Sequence, residues 1–199
     1  MYGYDTMRKQ IIAITDRKQC PGDFFQQLLR LADSGVTGII LREKDLNEQE
    51  YLQLAQQCQR LLQDTPVPFI LNQQLAVAQA LQIDRIQLSY PNLLTYHAQL
   101  QNMRNVLVSV HRVEEAVQAA KLGAHGIIAG HIFSTECKKG VKPRGLKFLE
   151  QICEAVDKPV YAIGGIHADT WPLIQESPAA GACVMSQAMV SGKFFWQMY

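Results

Sequence analysis

The sequence predicts an α/β protein of the (β/α)₈ type, a closed TIM barrel that is small for its class. Three observations lead there. Short apolar runs alternate with helix-period stretches along the whole chain; eight such runs occur, spaced at roughly 25 residues. Most of the runs are too continuously apolar to have one wet face, as expected for parallel strands covered by helices. No dinucleotide glycine fingerprint follows the first run, which counts against the structural alternative, a doubly wound open sheet.

The first strand is IIAIT (11–15), and PGDFFQQLLRLADSG follows it with apolar residues at helical spacing and Gly35 as a stop. The second strand, TGIIL (37–41), leads into the helical NEQEYLQLAQQCQRLLQD. PFILN (68–72) and RIQLS (85–89) are the third and fourth strands. The fifth, VLVSV (106–110), is followed by HRVEEAVQAAKLG, a helix that ends at Gly123. GIIAG (126–130), VYAIG (160–164) and ACVMS (182–186) complete the set. GKFFWQMY leaves little room after the eighth strand, and its aromatic residues read as a short final helix packed against the barrel. A dimer interface is the other use of such residues. No linker or break in composition interrupts the pattern, so a single barrel domain is expected over residues 1–199.

Of the 199 residues, 48% are hydrophobic, enough for a substantial core. Charged residues make up 19% and the formal net charge is +1, which gives no support for nucleic acid or a membrane surface as partner. The five cysteines, Cys20, Cys58, Cys137, Cys153 and Cys183, are odd in number, scattered, and lack a C-x-x-C pair. That argues against a disulfide framework or a zinc site and fits a reduced cytoplasmic protein. The opening MYGYDTMRKQ is too polar for a signal peptide, and no apolar run is long enough to span a membrane.

Barrel active sites lie in the loops that follow the strands, so those loops carry the functional reading. After the second strand come Arg42, Glu43, Lys44 and Asp45, either a solvated charged turn or a source of pocket cations. Asn72 ends the third strand and Ser89 the fourth. Ser109 and His111 share one face of the fifth, so one or both enter the barrel mouth; a helix-capping or packing role is the alternative for His111. The sixth loop, GHIFSTECKKG (130–140), is furnished beyond what a turn needs. His131 stands at the mouth with a ring able to act as acid and base near neutral pH. Thr135 can donate to an anion, and Lys138 and Lys139 can neutralise one; Cys137 has no identifiable base and is read as passive. Gly164 and Gly165 bare the backbone where a helix would begin. Gly165, with the backbone at Met185 and Ser186, reads as a phosphate cradle, a ligand-free tight turn being the alternative.

Together ITDR (14–17), LREK (41–44), SVHRVEEA (109–116), GHIFSTECKKG, AIGGI (162–166) and VMS (184–186) resemble the thiamine phosphate synthase/TenI family in order and spacing. The resemblance covers nearly the whole chain. It implies a phosphate-binding barrel that acts on thiamine precursors, commonly as a homodimer. One branch of the family joins a pyrimidine diphosphate to a thiazole phosphate and needs Mg²⁺ on the diphosphate. Its pattern has an aspartate after the third-strand asparagine and another after the fourth strand, where this chain has Gln73 and Asn92. Two amides make a poor Mg²⁺ site. Asp84 precedes the fourth strand and lies at the wrong end, and Ile40 replaces the synthase glutamine before LREK.

The other branch is the TenI-like thiazole tautomerase. Its loop pattern matches GHIFSTECKKG followed by Arg144 and Gly145, with His131 where synthases usually have proline. The resemblance therefore implies an isomerase that aromatises a carboxylated dihydrothiazole ethyl phosphate, with His131 as the acid/base. Gly165, Met185 and Ser186 would hold the phosphate, Thr135 and Lys138 the carboxylate or more of the phosphate, and Arg42, Lys44, Asn72 and Ser109 would line the pocket. No metal or organic cofactor is expected, with Mg²⁺ entering only if the chain is a synthase. The synthase, compatible with Ser109, Arg42 and Lys44, is one alternative. A non-catalytic phosphate-ligand-binding regulator is the other, and no added domain or DNA-binding motif favours it.

Overall fold

Eight parallel strands pair in sequential order, and the last closes on the first. A computed structural model of the chain describes residues 9–190 and 194–197. The polar start of the chain, MYGYDTMR, and Gly192, Lys193, Met198 and Tyr199 of the terminal segment lie outside the described residues. The strands are β1 (Gln10–Ile14), β2 (Gly38–Leu41), β3 (Phe69–Asn72), β4 (Arg85–Ser89), β5 (Asn105–Val110), β6 (Gly126–Gly130), β7 (Val160–Ile163) and β8 (Gly181–Val184). Pairing of Gln10 with Gly181 through to Ala13 with Val184 makes the sheet a closed barrel and excludes the open doubly wound alternative.

Two cores explain why the strands are apolar on both faces. Ile12, Ile14, Ile40, Ile70, Leu107, Ile128, Tyr161 and Cys183 fill the inside of the barrel. Their neighbours in sequence, such as Ile11, Ala13, Ile39, Leu41 and Ile127, pack outward beneath the helices. The seam needs Gly181, because a Cβ there would lie 1.9 Å from the Gln10 carbonyl oxygen.

The helices between strands are α1 (Phe24–Asp33), α2 (Glu48–Leu62), α3 (Leu75–Ala80), α4 (Tyr90–Tyr96), α5 (Val113–Lys121), α6 (Gly145–Ala155), α7 (Trp171–Glu176) and α8 (Ser186–Val190). Local chemistry sets their starts. The Asp23 side chain accepts from the Gln26 N–H at 2.8 Å before α1, and Asn47 with Glu50 forms a reciprocal capping box on α2. Leu28 and Leu31 of α1 are fully buried, each worth about 1.5–3 kcal/mol of transfer energy. Within the described residues the terminal aromatics pack on the barrel, as the expected final helix would. Phe194, Phe195 and Trp196 are buried against the chain's own barrel, with Trp171 and Phe195 ring centroids 5.8 Å apart.

The eighth strand stops at Val184, two residues before the expected end, so Met185 and Ser186 fall in the loop and first turn that follow. All five cysteines are free. Among the described residues no helix is long and apolar enough to cross a membrane.

Candidate functional site

A cavity of about 560 Å³ opens at the C-terminal mouth of the barrel. Its floor is apolar, made by Ile14, Ile128, Ile163 and Cys183, and its walls are polar. Arg42, Lys44, Asn72, Ser109, His131, Thr135, Lys138, Gly165, Met185 and Ser186, all expected from the sequence, line it together. Gln73, Gln87 and His111 line it as well.

The β2 loop alternates. Arg42 and Lys44 line the cavity, whereas Glu43 between them is buried at 4% exposure. The Glu43 carboxylate accepts from Thr15 Oγ1 at 2.7 Å, from the Arg17 N–H at 3.1 Å and from Arg17 Nη1 at 3.0 Å. Thr15 Oγ1 also accepts from the Arg42 N–H at 3.0 Å. ITDR is thus a brace that shapes the REK loop from behind. Asp45 takes both arms of the Arg17 guanidinium at 2.7 Å, and that ion pair holds its carboxyl well below the usual range. The charged-turn reading is right for Asp45 and wrong for Glu43.

A ladder of amides forms the wall from β3 to β5. Asn72 Nδ2 donates to Gln87 Oε1, and Gln87 Nε2 donates to Ser109 Oγ at 2.9 Å. Gln87 sits mid-strand in RIQLS, where nothing in the sequence separates it from an ordinary strand residue. One step around the rim, Gln73 Oε1 accepts from Asn92 Nδ2 at 2.6 Å and from the Ser89 N–H at 3.2 Å. Gln73 and Asn92, where the resemblance implies that synthases carry aspartates, are therefore neutral and bonded to each other. No group of three or more His, Cys, Asp or Glu residues arranged to hold a metal occurs among the described residues. A hard divalent cation prefers anionic oxygen, and this donor set does not fit Mg²⁺.

His131 is 3% exposed, and its Nε2 lies 3.2 Å from the Val141 carbonyl oxygen. A carbonyl only accepts, so Nε2 carries the proton in the neutral ring and Nδ1 carries the lone pair. The backbone is fixed on both sides. The His131 carbonyl accepts from the Arg144 N–H at 3.0 Å, and the Ile132 N–H donates to the Ile163 carbonyl at 2.9 Å. A Cβ on Gly164, at φ 95°, would lie 2.3 Å from the His131 Cβ. The double glycine therefore admits the histidine loop, and α7 begins only at Trp171. The expectation of a helix starting at the glycines is corrected. The loop uses their missing side chains for close packing of the β6 and β7 loops. The N–H groups of Gly165, Met185 and Ser186 meet no acceptor among the described residues.

Cations gather on one side. Lys138 is partly desolvated and faces the charges of Arg144 and Lys44, which together push its ammonium pKa down. Lys139 instead pairs outward with Glu136 at 2.8 Å, both well exposed. The Thr135 side chain caps a short 3₁₀ turn by accepting from the Cys137 N–H at 3.4 Å. Cys137 lines the cavity and is exposed, with no base among its contacts. An apolar floor, clustered cations, free N–H groups and one enclosed imidazole can hold a small anionic compound beside a group able to exchange a proton.

Comparison with known proteins places the chain among thiamine-phosphate synthases and their relatives. The profile of the thiamine monophosphate synthase family matches residues 11–188. A thiamine-phosphate synthase from Syntrophomonas wolfei is 32% identical over 180 residues, covering 88% of this chain and 86% of that protein. Another, from Pyrococcus abyssi, is 31% identical over 182 residues, 90% of this chain and 86% of its own. The solved thiamine phosphate pyrophosphorylase from Pyrococcus furiosus superposes with a TM-score of 0.81 at 24% identity, covering 97% and 95% of the two chains, and supports the fold.

Proposed function

The chain belongs to the thiamine monophosphate synthase/TenI family, and on that premise we propose that its own reaction is a thiazole tautomerisation. The substrate is a carboxylated dihydrothiazole ethyl phosphate. The observation that supports this reading is the enclosed His131 ring at the cavity, whose Nε2–H donates to the Val141 carbonyl and so leaves Nδ1 with the lone pair.

The derivation is short. The phosphate seats on the N–H groups of Gly165, Met185 and Ser186. Lys138 and Thr135 meet the carboxylate, and the ring lies over Ile128 and Ile163. His131 Nδ1 removes the C2 proton and returns it to the exocyclic carbon. Atoms balance, because one proton leaves and one arrives. Aromatisation supplies the driving force, and general acid–base catalysis of this kind contributes about 10²–10⁴-fold.

The relatives' names favour a second reading, coupling of a pyrimidine diphosphate to a thiazole phosphate. Arg42, Lys44 and Ser109 line the cavity in a way compatible with it. Against it stands the amide pair, Gln73 and Asn92, at the positions where the metal would bind.

One assay separates the two. The purified protein is incubated with each substrate set, with and without Mg²⁺, and products are identified by mass and ultraviolet absorbance. Tautomerisation without Mg²⁺, lost in His131→Asn by at least about 10²-fold, is expected. Thiamine phosphate formed only with Mg²⁺, or wild-type turnover in His131→Asn, would overturn the proposal.

A further inference from the structure

His111 follows β5 and its ring lines the same cavity as His131. Its Nδ1 lies 2.8 Å from the Gly130 carbonyl oxygen. That oxygen only accepts, so Nδ1 carries the proton and donates it. The Gly130 carbonyl belongs to the peptide that leads into His131. On its other side Gly130 is wedged against β7, where a Cβ would lie 2.4 Å from Ile163 Cγ2 and 2.6 Å from the Ile163 carbonyl oxygen. The His111 backbone is itself anchored, its N–H donating to Glu115 Oε2 at 2.7 Å. The peptide before His131 thus lies between β7 and one imidazole. Among the described residues, His111 supplies the side-chain hydrogen bond that this peptide receives.

We propose that His111 is a positioning residue: through its Nδ1–H on the Gly130 carbonyl it fixes the peptide that aims the His131 ring. The kinetic half of this inference rests on the tautomerase reading, and the geometric half does not. In the described structure His111 Nε2 has no protein partner, so the alternative is that this nitrogen exchanges protons with substrate directly. Side-chain isosterism separates the two. An asparagine amide places its N–H where Nδ1 was, whereas a glutamine amide places it where Nε2 was.

The test compares His111→Asn, His111→Gln and His111→Ala by tautomerase kinetics and by ¹H–¹⁵N spectra of the histidine rings. The His131→Asn spectrum identifies the His131 signals among the five histidines. Positioning predicts that His111→Asn stays within about threefold of wild type. His111→Gln and His111→Ala then lose roughly 10- to 100-fold in kcat with KM little changed. The His131 ring signals move in those two variants and return in His111→Asn. Equal losses in all three variants, or no loss in any, would overturn the proposal. If the wild type shows no tautomerase turnover, the functional reading fails separately, and the spectra still decide this one. His131 signals that stay put in His111→Gln and His111→Ala refute it; signals that shift there and recover in His111→Asn sustain it. Thermal melts establish that each variant is folded. Should His111→Ala not fold, the asparagine and glutamine pair decides alone.

Discussion

Burying a carboxylate is tolerated only when donors replace the water it loses. Glu43 is supplied with three, from the Thr15 hydroxyl, the Arg17 N–H and the Arg17 guanidinium. An amide in its place turns an N–H toward groups that themselves donate. Glu43→Gln should therefore cost about 1–3 kcal/mol of stability, read as a lower urea midpoint at unchanged slope. A change under about 0.5 kcal/mol, the usual size for a surface site, would show that the brace is not needed. At this scale the sequence is informative in part. His131, Arg42 and Lys44 are legible because their residue types are costly in a plain turn and their positions follow strands. Glu43 and Gln87 are not, because a buried partner is fixed by tertiary contact and leaves no local signal.

Elements show the same division. Strand positions read well because the barrel buries both faces, so apolar runs mark them within a residue or two. The role of Gly164 reads less well: two glycines signal an open backbone, but not that a histidine from the previous loop occupies the space. The start of α5 links an element to the site. Burial pushes the Glu115 carboxyl up, but the His111 N–H and the Arg112 guanidinium outweigh it and hold its pKa below the ordinary 4.5. The fold thus favours charged Glu115. Its stabilisation is complete above 4.5 and is lost as pH falls through the lowered value. The gap in melting temperature between wild type and Glu115→Gln should be widest near neutrality and close in acid. A gap that persists undiminished at about pH 3 would contradict this assignment.

For the whole molecule, charge distribution matters more than total charge. A formal net charge of +1 hides a cavity lined by Arg42, Lys44 and Lys138, with Lys44 and Arg144 close enough to Lys138 for their charges to act on it. Composition alone suggested no basic site beyond a local one, and only the closed barrel brings the β2 and β6 loops to one mouth. Crowded cations with few counter-charges destabilise the empty protein, so an anion that binds there should stabilise it beyond ordinary contact energy. Inorganic pyrophosphate at about 100 times its Kd should add roughly 2.7 kcal/mol. For a chain of this size that is a rise in Tm of about 5–10 °C. Two controls fix the cause. Lys138→Met should lose a large part of the rise, because it removes the cation whose ammonium is pushed down by its neighbours. Added salt should reduce the rise steadily, because exposed charges are screened within about 10 Å at 0.1 M. A rise indifferent to both would mean that pyrophosphate acts elsewhere on the protein, and that the cationic wall does not form the anion site.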